Sequence, residues 1–164
     1  MKKWAAVVAG GVVLALASSA QGAEPGVDQW GVVTKTDPIT DDERVTAGVV
    51  ESGGLGVLFQ CSQGRFGAVL IPNTPRLEIE FITMEPTTTV EWRVDDDPAH
   101  EETWNTVSGG AGSSYAVATL KSQEMAEAIK SAKDRLVVRV HGATGTFTVE
   151  GAREHISKAQ ASCS

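Results

Sequence analysis

The sequence predicts an α+β domain, a mainly antiparallel β-sandwich or curled sheet of about 7–9 strands with two helices in its C-terminal half. Three observations lead there. Short β-branched runs separated by turn residues follow one another from Trp30 to Ile71. Apolar and charged residues alternate strictly in Leu77–Phe81 and Val90–Asp95, the pattern of a strand with one wet face. Helical spacing is found only beyond Ser122.

The first segment stands apart from this pattern. Lys2 and Lys3 precede an uncharged run from Trp4 to Ala17, and small residues follow as far as Ala23. This is the layout of a secretory signal peptide, residues 1–23, and the run falls short of the roughly 20 residues that span a bilayer. Removing it takes away Lys2 and Lys3, so the remaining 141 residues carry a net charge of −9 against −7 for all 164. The first cysteine is Cys61, so no thiol stands at the cleavage zone to accept a lipid anchor. An exported protein, periplasmic or secreted, without a stable membrane anchor is therefore expected. So acidic a chain, with no Lys or Arg run, repels a phosphate backbone, which argues against nucleic acid as a partner.

Residues 24–29 are polar and include Pro25 and Gly26, which reads as a disordered lead-in to a single domain over 30–164. Trp30–Lys35 favours a strand, broken by Asp37-Pro38-Ile39-Thr40-Asp41-Asp42 because proline fixes its own φ and biases the preceding residue away from helix. Val45–Glu51 is β-branched again and ends in Ser52-Gly53-Gly54. Leu55–Cys61 and Arg65–Ile71 form a hairpin around a three-residue loop, Ser62-Gln63-Gly64. After Leu77–Phe81 and Val90–Asp95 come a charged loop over 95–102 and a small-residue loop, Ser108–Ser114. Tyr115–Leu120 is a short strand leading to a helix, with Ser122 as its cap, acidic residues early and Lys130 and Lys133 late. Met125, Ile129 and Ala132 form its apolar stripe. Arg135–His141 and Thr146–Glu150 flank Gly142–Gly145 as a second hairpin.

In the terminal helix Ala152, Ile156, Ala159 and Cys163 recur on one stripe. Two cysteines in an exported chain are most simply one bridge, and a Cys61–Cys163 disulfide pins this helix to the sheet.

Catalytic signatures fail in turn. His100, His141 and His155 are not spaced as a helical metal pair, and Trp104 stands where the zinc-protease motif after His100-Glu101 requires its second histidine. Ser113 and Ser114 lack the glycines of a nucleophile elbow. An EF-hand starting at Asp95 fails at His100, in place of glycine, and at Thr106, in place of glutamate. No cofactor, metal site or catalytic residue is expected, and the chain reads as a non-enzyme. What remains is the carboxylate cluster Asp95, Asp96, Asp97, Glu101 and Glu102 with His100, which is a solvated turn, an irregular calcium site or a contact surface for a basic partner. Trp92 reads as core. Trp104, between a charged and a glycine-rich loop, is either a plug over the sheet edge or an exposed binding aromatic, and with the cluster it makes up the candidate interaction surface.

The ordered set Trp30, Asp37–Asp42, Leu58-Phe59-Gln60-Cys61, Glu91-Trp92-Arg93-Val94-Asp95, Trp104, Ser108, Arg135–Arg139, Thr146–Gly151 and a helix ending in Cys163 resembles the exported family of type VI secretion-associated accessory proteins and its periplasmic relatives. The resemblance spans residues 30–163. It implies an exported β-sandwich-like module with a protein partner in the cell envelope, and it brings no catalytic residues. As an alternative, Ser108–Tyr115 loosely resembles the small-residue loop of membrane-type lysozyme inhibitors, one residue longer and without the basic residue before the tyrosine.

Overall fold

The computed structural model describes residues 26–62, 64–73, 86–108 and 115–163. Within them the alternating runs become nine strands: β1 (Gly31–Thr36), β2 (Glu43–Val50), β3 (Leu55–Ser62), β4 (Arg65–Pro72), β5 (Thr87–Val94), β6 (His100–Ser108), β7 (Tyr115–Thr119), β8 (Arg135–Val140) and β9 (Ala143–Thr148). Two helices complete the order, α1 (Gln123–Ser131) between β7 and β8 and α2 (Ala152–Ala161) after β9. The strands form one sheet in the order β1-β2-β3-β4-β7-β6-β5-β8-β9, every neighbouring pair antiparallel. The expected α+β class, a curled antiparallel sheet with both helices in the C-terminal half, is what is observed. The segment 1–23 read as a signal peptide, the strand read at Leu77–Phe81 and most of the small-residue loop lie outside the described residues.

Period-two burial decides which face is inside. Val90, Trp92 and Val94 of β5 and Leu136, Val138 and Val140 of β8 are buried, and they join Phe59, Leu70, Trp104 and Val117 in one core. Both helices close over this face: Met125, Ala126 and Ile129 of α1 and Ala152 and Ile156 of α2 belong to the same cluster. Ala159 reaches past it to Val32, Val45 and Ala47 on β1 and β2. A smaller apolar cluster, Leu58, Val69 and Ala116, lies on the opposite face of β3, β4 and β7.

Curling brings β9 toward β3, and Trp30 spans the approach. Its ring stacks on Phe59 of β3 at 6.3 Å, while its indole Nε1 donates to the carbonyl of Thr148 on β9 at 2.6 Å. Cys61, on β3, is bonded to Cys163, with Cα atoms 5.4 Å apart. The disulfide read from the helical stripe is thus present, and it ties the end of α2 to the sheet.

Several local expectations need correction. Of the stretch 24–29, expected as a disordered lead-in, only residues 26–29 are described, and there Val27 bridges to Val50 and the N–H of Asp28 donates to the Val50 carbonyl at 2.8 Å. The β3–β4 pairing runs on to Ser62 and Arg65, leaving two positions between the strands instead of three. The β8–β9 turn is not Gly142–Gly145: Val140 pairs with Ala143, and only His141 and Gly142 turn the chain, with φ of 46° and 80°. Two positive φ values in a two-residue loop suit the right-handed strand twist, and Gly145 is a buried strand residue. Ser122 does not cap α1 with its side chain; its hydroxyl donates instead to the Phe66 carbonyl on β4 at 3.4 Å.

Candidate functional site

The residues singled out in the sequence do not make one exposed loop. Only positions 95–99 link β5 to β6, and His100, Glu101 and Glu102 are already strand. His100, Glu102 and Trp104 therefore share the core face of β6, and Glu101 points the other way.

Trp104 is fully buried, 0% exposed, so it is a core residue and supplies no contact area to a partner. Glu102 explains how a carboxylate tolerates that face: Trp92 donates its Nε1 to one oxygen at 2.6 Å, and Trp104 donates to the other at 3.0 Å. One carboxylate thus satisfies two indole N–H groups, each of which would carry a desolvation penalty if left unpaired. His100 lies flat on Trp92, with ring centroids 4.1 Å apart and planes 4° from parallel. Its Nδ1 is 3.4 Å from a carboxylate oxygen of Glu124 on α1, which links β6 to that helix.

Asp95 has an equally specific structural role. It ends β5 in the left-handed region, φ 48°, and its own N–H donates to the Arg135 carbonyl at 2.9 Å. Its carboxylate accepts the backbone N–H groups of Lys133 and Asp134, each at 2.9 Å, and of Arg135 at 3.0 Å. These donors, Lys133 foremost, hold its carboxyl below the usual range because they bond better to the charged form. The side chain thereby fastens the connection from α1 into β8. Asp96 and Asp134 hold the Arg135 guanidinium at 2.9 and 3.0 Å. Asp97 and Glu101 are exposed. Of the acidic cluster, Asp95 and Asp96 thus serve one structural network and Glu102 another.

A feature that sequence reading treated only as a strand break is better built for contact. In the β1–β2 connection the Asp37 carboxylate accepts the N–H groups of Ile39 at 2.8 Å and Thr40 at 3.1 Å, and both hold it in the charged form, lowering its pKa. The Asp37 N–H donates to the Asp42 carbonyl, and the Asp41 N–H donates to the Asp37 carbonyl, each at 2.9 Å. The Thr40 hydroxyl donates to the Asp42 carboxylate at 2.9 Å. At the apex of this bonded loop Ile39 is 90% exposed. The signal available in the sequence was a lone isoleucine inside Asp-Pro-Ile-Thr-Asp-Asp, an apolar residue among turn formers. Beside it lies a cavity of about 310 Å³ lined by residues including Lys35, Thr36, Asp42 and Arg44.

A second, shallower groove of about 350 Å³ lies on the outer face of β5 and β8, where Arg139 pairs with Glu91 at 3.1 Å. Among the described residues, no cluster of three or more His, Cys, Asp or Glu side chains is arranged to hold a metal ion, and no helix is long and apolar enough to cross a membrane. Comparison with family models, with curated proteins and with solved structures finds no match to this chain.

Proposed function

We propose that this chain is a non-catalytic accessory module of the cell envelope, exported to the periplasm or beyond, which works by binding a protein partner in association with a type VI secretion apparatus. The observation that carries the reading is where its reactive side chains are spent. The Asp95 carboxylate is occupied by three backbone donors, the Glu102 carboxylate by two indoles, and both thiols by each other. Groups that a catalyst keeps poised toward a substrate here brace a sheet. The disulfide supports an oxidising compartment, and the ordered resemblance over residues 30–163 supports the secretion link.

The test is to express the tagged full chain in its own cells, fractionate them, and identify what co-purifies from the envelope. Recovery in the periplasmic or secreted fraction together with a component of the apparatus is expected. Retention in the cytoplasm with reduced cysteines would contradict the reading. The projecting Ile39 favours one second reading, an inhibitor that inserts a loop into an envelope-acting enzyme such as a lysozyme; slowed lysis by several purified lysozymes would select it.

A further inference from the structure

Building on the reading of the chain as a binding module, we propose that the β1–β2 tip, residues 37–42, is its docking element, and that Ile39 inserts into an apolar pocket on a protein whose pocket rim is basic. Three observations converge on this. The first is exposure: Ile39 is the most exposed of the large hydrophobic side chains among the described residues, against 63% for Leu120 and 59% for Val27. An isolated apolar residue on a surface is ordinary. The second observation makes this one different, because the loop that carries it is fixed by its own hydrogen bonds, two of them to the Asp37 carboxylate. Asp41 takes a left-handed φ of 58° at the apex, a conformation the surrounding bonds impose. A loop already held in one shape loses little conformational entropy when a partner closes on it, so burial of the side chain converts more fully into affinity.

The third observation is charge, which selects the partner. Asp41, Asp42 and Glu43 flank the isoleucine, and all three are exposed. One strand step back, Lys35 and Arg44 stand directly opposite each other across β1 and β2. Like charges so placed repel, and neither is at salt-bridge distance from a carboxylate among the described residues, although Arg44 is near enough to Asp37 to favour its charged form. The complementary surface therefore has basic groups around the pocket and carboxylates further out, against Lys35 and Arg44. Such a rim sets encounter rate and salt dependence, while the apolar anchor sets lifetime.

The experiment is site-specific photocrosslinking in living cells. A benzophenone amino acid is placed in the full chain at position 39 and, separately, at the exposed control positions 97 and 144, and the adduct is identified by mass spectrometry. The purified pair is then titrated. Position 39 is expected to give a discrete adduct and the controls none. Ile39→Asp is expected to weaken binding roughly thirtyfold, the effect of losing a hot-spot anchor, with Tm unchanged. Asp37→Ala, which frees the tip, is expected to weaken it as well, and Asp41→Asn to reduce its salt dependence. Adducts from 97 or 144 but not 39, or wild-type binding by both Ile39→Asp and Asp37→Ala, would overturn the tip assignment and leave the binding reading standing. No adduct from any position would remove both.

Discussion

Glu102 shows how a single residue can disguise a strand. In His100-Glu101-Glu102-Thr103-Trp104 two polar residues precede tryptophan on the core face, so the stretch reads as a charged loop and Trp104 as its neighbour. The pairing of Glu102 with both indole N–H groups is a side-chain arrangement that one-dimensional periodicity does not register. Trp104→Ala is accordingly expected to cost about 3–5 kcal/mol in chemical denaturation, as truncations of buried aromatic side chains do. Glu102→Gln is expected to cost roughly 1–3 kcal/mol, because the amide has one carbonyl acceptor and turns its NH₂ toward the other indole. Asp95 yields a prediction in pH. Its folded-state pKa is depressed, so its contribution is present above the ordinary carboxylate value of 3.8 and is lost as pH falls through the lower folded value. Thermal melts between neutral and strongly acidic pH are expected to show that loss, and Asp95→Asn to flatten the acid limb; an unchanged limb would contradict the role given to its three donors.

At the scale of elements the agreement is closer. Alternation is a property of the strand itself, so Arg135–His141 announced β8 to within a residue, and Val90–Asp95 announced β5, which begins three residues earlier at Thr87. The stripe Ala152, Ile156 and Ala159 announced α2, which buries all three, whereas the helix expected to run to Cys163 ends at Ala161, and Cys163, half-buried in the turn beyond it, bonds Cys61 from there. Turns were less legible. The β8–β9 turn uses His141 in a left-handed conformation that a neighbouring run of glycine and small residues advertises more loudly. Gly48 is a similar case: a Cβ there would collide with Leu58 and lie 2.6 Å from the Val57 carbonyl, a requirement of β2–β3 packing that is visible only once the strands are paired. The disulfide closes a separation of 102 residues, and in the chain-entropy model such a loop is worth up to about 4.7 kcal/mol. The Cys61→Ser, Cys163→Ser double variant is expected to lose 2–5 kcal/mol in equilibrium unfolding, and a loss below about 0.5 kcal/mol would show that the α2 contact holds without its covalent bond.

Across the whole molecule, the strand order was not legible. That β7 sits between β4 and β6, and β8 beside β5, depends on which edges remain when the chain returns, and no local pattern carries it. The arrangement separates two duties. The curled sheet, its helices and the Asp95 and Glu102 networks hold the fold, while the tip at 37–42 stands out from them with its own bonds. Because these regions share no side-chain partner among the described residues, their substitutions are expected to act independently. The most direct test is therefore to measure Tm and the amount of partner retained from envelope extract for Ile39→Asp and Glu102→Gln side by side. The account predicts that Ile39→Asp loses partner at wild-type Tm, while Glu102→Gln lowers Tm and retains partner below its melting range. Full retention by Ile39→Asp, or equal loss of Tm in both, would contradict it.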